Sequence, residues 1–245
     1  MESNQTRSAI VTGTSGGIGR AVAQRLAADG FAITAHYGGN RGRAEDVVDE
    51  VRAAGGQAIA VGGDAADESA MDKLFGAAEE AFGGVDVVVH TAGIMPLAPL
   101  TELDLAVFDQ VQRTNVRGTA VVAQQAARRV RAGGAIVLFS TSITRLQSPG
   151  YAAYAMSKGA VEALTLVLAR ELRGRDVTVN TVAPGPTDTP LFREGKPAQL
   201  IETIAGLNPM GRLGTAEDIA GVVSALAGTA RWVNGQVIYA NGGAA

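Results

Sequence analysis

Seven short apolar, β-rich runs, each followed by a segment of helical period or a turn, leave this chain few ways to fold. The runs are SAIVT (8–12), FAITAHY (31–37), QAIAVGG (57–63), VDVVVHTAG (85–93), GAIVLFSTS (134–142), DVTVNTVAPG (176–185) and QVIYA (236–240). Between them stand GIGRAVAQRLAADG, RAEDVVDEVRAAGG, ESAMDKLFGAAEEAFGG, a stretch from about Asp104 to Arg131, and a helix from near Tyr154 to about Arg173. Strands joined through helices need crossover connections, so they pair in parallel. A parallel sheet is covered on both faces, and runs such as VDVVV and AIVLF are apolar enough for that. The expected fold is α/β, one doubly wound parallel sheet of about seven strands with helices on both faces. No composition shift or linker divides residues 1–245, so one domain is expected. The stretch 188–212, DTPLFREGKPAQLIETIAGLNPMGR, breaks the alternation and reads as an insertion near the strand ends, where such sheets bind ligands.

Composition removes several function classes. The net charge is −3 with no basic block, which argues against nucleic acid as a partner. With no cysteine there is no disulfide, thiolate metal site or Cys nucleophile, and with only His36 and His90 a zinc site is not expected. No apolar run is read as reaching the roughly 18 residues of a membrane span. The start, MESNQTRS, is polar and unlike a signal peptide, so a cytoplasmic protein is expected.

The first strand runs into TGTSGGIG, Thr12 to Gly19, and then into a helix. Glycines at 13, 17 and 19 let backbone N–H groups approach a pyrophosphate at the positive end of that helix. Gly13, Thr14, Ser15, Gly17, Ile18 and Gly19 are the expected contacts. Cofactor choice is expected at the end of the second strand, where an acid would select NAD through the ribose hydroxyl. The chain reads AHYGGNRGR there, with no acid before Glu45. Tyr37, Asn40 and Arg41, with Arg43 beside them, offer a place for a phosphate instead, so NADP(H) is expected over NAD(H). The competing reading makes these arginines a solvated helix start.

SPGYAAYAMSK (148–158) holds two tyrosines before one lysine. Residues four apart share a helix face, which pairs Tyr154 with Lys158. Tyr151 would lie about 10 Å from Lys158 along the axis, two turns away, and Pro149 and Gly150 place it in the turn before the helix.

TGTSGGIG, TAG at 91–93, YAMSK at 154–158 and APG at 183–185, in this order and spacing, resemble the short-chain dehydrogenase/reductase family over essentially the whole chain. Within it the chain is most similar to the group of 3-oxoacyl-acyl-carrier-protein reductases, whose C-terminus VNGQVIYANGG also resembles. The resemblance implies a Rossmann-type sheet, a homotetramer or homodimer, and hydride transfer between NAD(P)H and a carbonyl/alcohol pair. It makes Tyr154 the proton donor, Lys158 its partner, and Asn115 of TNVRG the holder of a relay water. It also implies that Asp64 and Ala65 contact adenine, that Thr91, Ala92 and Gly93 line the adenine ribose side, and that Pro184, Gly185, Thr187 and Thr189 face the nicotinamide. The chain departs from the family where His90-Thr91 replaces the usual Asn-Asn, and a sheet-edge structural role is expected for His90. FSTSIT offers Ser140, Thr141 and Ser142 as the site's hydroxyl; Thr141 has the commonest spacing, thirteen before Tyr154, and Ser142 is preferred for its turn pattern.

Reducing a ketone needs a hydride at carbon and a proton at oxygen. A tyrosine, ordinarily near pKa 10, becomes a better acid if a cation such as Lys158 stabilises its phenolate. The Ser142 hydroxyl would donate to the developing alkoxide. The expected function is NADPH-dependent reduction of a ketone or aldehyde, with a 3-oxoacyl thioester as one candidate. An NAD-dependent alcohol dehydrogenase working oxidatively and a non-catalytic dinucleotide-binding regulator are the alternatives. Leu191, Phe192, Leu200, Ile201 and Ile204 suggest a partly apolar substrate or, equally, packing of the insertion. Arg128, Arg129, Arg131, Arg173 and Arg175 are a weaker hint of an acyl carrier protein partner. Tyr151 is expected to wall the substrate pocket.

Overall fold

The computed structural model describes residues 6–245. The reading of the N-terminus as polar and unlike a leader rests mainly on residues outside that range. Seven strands form one sheet: β1 (Ser8–Thr12), β2 (Ala32–Tyr37), β3 (Ala58–Gly62), β4 (Val85–His90), β5 (Val130–Phe139), β6 (Thr178–Pro184) and β7 (Val237–Ala240). Their order is β3-β2-β1-β4-β5-β6-β7, and every pairing is parallel. The chain winds outward from β1 to β3, then crosses back to place β4 on the other side of β1. That reversal opens a crevice at the C-terminal ends of β1 and β4.

The period-two alternation of the strands feeds two separate cores. Ala9, Val11, Val87 and Val89 face the layer built from α1 (Gly17–Ala28), α2 (Arg41–Ala53) and α10 (Ala216–Ala227). Ile10 and Val88 face the opposite layer, built from α3 (Glu68–Phe82), α5 (Gly118–Arg129) and α7 (Ala152–Glu171). Local signals fix the helix ends. Asp67 caps α3 by accepting from Ala70 N, and Thr215 and Asp218 form a reciprocal capping box on α10.

The stretch from about Asp104 to Arg131 is divided into α4 (Leu105–Val111), a π-helical turn (Gln112–Arg117) and α5, and its last residues already belong to β5. The expectation that nothing approaches a membrane span fails at α7, a 20-residue helix holding an 18-residue window with a mean hydropathy of 1.2, enough by length and composition alone. That apolarity serves the second core, where Val161 and Leu168 of α7 are buried.

The insertion at 188–212 contains α8 (Pro190–Arg193) and α9 (Ala198–Leu207), and α6 (Ile143–Leu146) follows β5. Asp188 N donates to Gly214 O at 2.8 Å and Gly214 N to Pro186 O at 2.9 Å, which closes the base of the insertion beside the end of β6.

Candidate active site

The glycine turn is built by close approach. Gly13 has φ +73°, and a Cβ there would lie 2.9 Å from Ala92 N. A Cβ on Gly19 would lie 2.3 Å from Gly13 O, so only glycine lets α1 start against the turn. Thr14 N and its hydroxyl both donate to His36 O at 3.1 Å, which ties the turn to β2. No side chain caps α1, and its first turn carries no acid. Its leading N–H groups and positive end are therefore available, which fits a pyrophosphate held by the turn from Thr14 and Ser15 to Ile18.

The other cofactor candidates surround this turn. Thr91 Oγ1 donates to Thr12 O at 2.6 Å, and Ala92 N lies 3.4 Å from Thr12 Oγ1. Gly93 is closely approached, since a Cβ there would stand 3.1 Å from Asn115 Oδ1 and 3.5 Å from Lys158 Nζ. Pro184 and Gly185 end β6, with Asn241 filling the space a Gly185 side chain would need. The Thr187 hydroxyl donates to Gly185 O at 2.9 Å, and Thr189 caps α8 while its methyl faces Gly17.

At the adenine end Asp64 is already engaged, accepting from Ala66 N at 2.8 Å and pairing with Arg113 at 2.6 Å. The Ala66 N–H, then Arg113, hold its carboxyl below the ordinary range. Ala65 beside it is buried. Tyr37 lies over Gly62 at the end of β2. Asn40 caps α2 by accepting from Arg43 N at 3.1 Å, and exposed Arg41 pairs with Glu45 at 2.7 Å. The competing reading of a solvated helix start thus describes Asn40 and Arg41 as they stand. The Arg43 guanidinium has no hydrogen-bond or ion-pair partner among the described residues.

Tyr154 and Lys158 share one face of α7, and both are buried. Tyr151 occupies the N-cap position, in the turn before the helix as expected. Burial pushes the Tyr154 phenol up to about 12 and the Lys158 ammonium down to about 8. The expectation that Lys158 makes the phenol more acidic needs correction. Its Nζ is 5.7 Å from the ring centroid and donates to Phe139 O at 2.8 Å, and the group that opposes burial at Tyr154 is the Thr141 hydroxyl.

Ser142 is the second correction. Its hydroxyl is buried, donates to Ala183 O at 3.4 Å and accepts from Asn241 Nδ2 at 3.1 Å. Ser142 N donates to Pro184 O at 2.8 Å, and the residue sits at the N-cap of α6 with helical φ −65° and ψ −10°. The hydroxyl that interacts with the phenol is that of Thr141.

Asn115, in the π-turn, is fully buried and acts as a staple. Its Oδ1 accepts from Ile94 N at 2.9 Å, while Nδ2 donates to Ile94 O at 2.9 Å and to Ser157 Oγ at 3.0 Å. The Thr119 hydroxyl donates to its carbonyl at 2.6 Å. The Asn115 amide thus holds the loop after β4 against α7. His90 ends β4, an interior strand, and not an edge strand as expected. Its Nδ1 meets Thr12 Oγ1 at 2.8 Å, its Nε2 has no hydrogen-bond partner among the described residues, and burial takes it down to about 3.

A family model described as Enoyl-(Acyl carrier protein) reductase matches residues 13–245. The chain is 41% identical to the NADPH-dependent aldehyde reductase-like protein, chloroplastic, of Arabidopsis thaliana, over 97% of this chain and 93% of that one. It is 38% identical to a versicolorin reductase of Emericella nidulans, over 96% and 94% of the two chains. A short chain dehydrogenase from Burkholderia cenocepacia, solved in complex with NADP, superposes with a TM-score of 0.91 at 38% identity, over 98% of each chain. The chain belongs to the short-chain dehydrogenase/reductase family. As a short-chain dehydrogenase/reductase it is an NAD(P)-dependent oxidoreductase.

In this short-chain dehydrogenase/reductase the sequence reading missed Ser157, Asn241, Thr12 and Glu162. Ser157 stands inside YAMSK and donates to Tyr154 O at 2.7 Å while accepting from Asn115. Its place in the motif was a usable signal. The others touch the site only through contacts distant in sequence, which no local pattern marks.

Proposed function

We propose that this enzyme reduces a ketone or aldehyde to the alcohol with NADPH, Tyr154 giving the proton to the carbonyl oxygen and Thr141 orienting that oxygen. The buried Tyr154–Lys158 pair, with half-buried Thr141 at the phenol and the glycine turn beside it, carries this reading. Bound nicotinamide supplies the hydride. Thr141 holds the phenol in one orientation and offers a donor to the forming alkoxide. Lys158 keeps a single positive charge beside the phenol's face and anchors α7 to β5 through Phe139 O. Burial excludes bulk water, so the phenol stays protonated until a negative oxygen develops beside it.

Preference for NADP(H) is supported by the lack of an acid between Tyr37 and Glu45 and by relatives named as NADPH-dependent reductases. A 3-oxoacyl thioester belongs to the same proposal as a candidate substrate. The carrier-protein idea loses much of its charge, because Arg129 pairs with Glu79 and Asp72, Arg131 with Asp86, and Arg175 donates to Ala127 O and Val130 O. The exposed Met156 and Val167 on the outer side of α7 support a homo-oligomer.

The test is Tyr154→Phe, assayed with NADPH and NADH in parallel over a panel of aldehydes, ketones and 3-oxoacyl thioesters. Turnover is lost while NADPH titration still shows binding; a variant with near-normal turnover removes Tyr154 from the role.

A further inference from the structure

Three hydroxyl groups from separate elements converge on one carboxylate behind the proton site. Glu162 lies on α7, four residues beyond Lys158. Its Oε1 accepts from Ser140 Oγ at 2.6 Å and from Thr144 Oγ1 at 2.8 Å. Tyr239 OH, on β7, stands 3.4 Å from both carboxylate oxygens and 3.3 Å from Thr144 Oγ1. The Arg145 guanidinium stacks 3.6 Å from the centre of the Tyr239 ring, closing the cluster.

The partners of Glu162 bracket Thr141. Ser140 precedes it, and the Thr144 hydroxyl also lies 2.9 Å from the Thr141 carbonyl, to which it donates. Hydrogen bonds to a carboxylate are shorter and stronger than neutral ones. The loop after β5 is therefore clamped to α7 on both sides of the residue that meets the phenol. The remaining ties at this end are Lys158 Nζ to Phe139 O at 2.8 Å and Ser140 Oγ to Lys158 O at 3.5 Å.

We propose that Glu162 is a positioning residue for the reaction, holding the loop from Ser140 to Leu146 against α7 so that the Thr141 hydroxyl stays at the Tyr154 phenol. The proposal rests on the reading of Tyr154 and Thr141 given above. Glu162 touches neither Tyr154 nor Thr141 side chains in the hydrogen-bond pattern; it acts through Ser140 and Thr144. Without the carboxylate, buried Ser140 loses its acceptor and the loop relaxes toward solvent. A shift of about 1 Å at a positioned group costs on the order of a hundredfold in rate.

The experiment compares Glu162→Leu, Glu162→Gln and Tyr154→Phe with the wild type, using the best carbonyl of the panel and saturating NADPH. Glu162→Leu lowers kcat by about 30- to 100-fold while the Kd for NADPH stays within about twofold. Glu162→Gln, which still offers an acceptor to Ser140 and Thr144, stays within about threefold of wild type. A purely structural buttress would lower the Tm of Glu162→Leu and leave the kcat of the folded protein near wild type, and that result overturns the proposal. If Glu162→Leu does not fold, Thr144→Val cuts the same clamp and decides it: a fall in kcat of about tenfold or more supports the proposal, an unchanged kcat ends it. An inactive Tyr154→Phe beside a fully active Glu162→Leu sinks the clamp alone. An active Tyr154→Phe sinks the proton-donor reading and the clamp with it.

Discussion

The Thr141 hydroxyl, on the loop leaving β5, interacts with the Tyr154 phenol on α7 and opposes the burial that pushes the phenol up to about 12. The adjacent Ser142 hydroxyl is spent on Ala183 O and Asn241. Thr141→Ala therefore lowers kcat by about 10²–10³-fold, the usual effect of removing one donor to a developing oxyanion. Thr141→Ser keeps the hydroxyl and most of the rate, and Ser142→Ala stays within about threefold, since its hydroxyl makes only structural bonds. Steady-state assays of the three variants give the ranking, and a Ser142→Ala more damaged than Thr141→Ala reverses the assignment.

Lys158 gives the cofactor-free protein a pH dependence above neutrality. Its folded-state pKa of about 8 lies below the ordinary 10.5, so the unfolded chain holds the proton that the folded chain releases between those values. Its contribution is present above about 10.5, is lost as pH falls toward 8, and is flat below that. Between pH 8 and pH 10 the wild type gains about 2 kcal/mol relative to Lys158→Met. Urea unfolding of both proteins at the two pH values measures this; equal slopes against pH would show that Lys158 titrates normally.

His90 acts on the acid side. Held near 3 by burial against an ordinary 6.5, it contributes stability that is complete above 6.5 and is lost as pH falls toward 3. By pH 5 the wild type loses about 2 kcal/mol relative to His90→Asn, compared with the same pair at pH 7.5. Denaturant midpoints at the two pH values decide it, and an unchanged gap between the proteins rejects a buried neutral imidazole.

Glycines 19 and 221 respond in opposite ways to alanine. A Cβ at Gly19 would sit 2.3 Å from a backbone oxygen that cannot move without opening the turn, so Gly19→Ala weakens NADPH binding by about tenfold or more. Gly221, inside α10, has open space where its Cβ would go, and Gly221→Ala adds about 0.5–1 kcal/mol of stability. NADPH titration and thermal melts report on the two variants. Tight binding by Gly19→Ala would mean that the turn yields more readily than its packing implies.

The parallel sheet of seven strands and the Tyr154–Lys158 register were legible in the sequence because each follows from a local period. Apolar runs buried on both faces announce parallel strands, and four residues along a helix return to the same side. The choice between Thr141 and Ser142 was not legible. It depends on where β5 stops bonding to β6, and the loop to Tyr154 includes Gln147 in the left-handed region at φ 51°, which spacing does not encode. The π-turn holding Asn115 leaves no mark in composition, because one extra residue in a helix changes neither period nor polarity enough to read. The clamp at Glu162 joins residues up to 95 positions apart, from 144 to 239, and belongs entirely to the folded chain.

The two cores divide the enzyme's vulnerabilities. The helix that follows the glycine turn stands on one, and the helix carrying Tyr154, Lys158 and Glu162 stands on the other, with only the sheet between them. Wear in the first layer shows as a leaky nucleotide grip with intact chemistry in the molecules still loaded. Wear in the second shows as a firm grip and a stalled proton. A descendant of this chain can therefore retune what it reduces by editing one side of the sheet, and inherit its electron supply from the other unchanged.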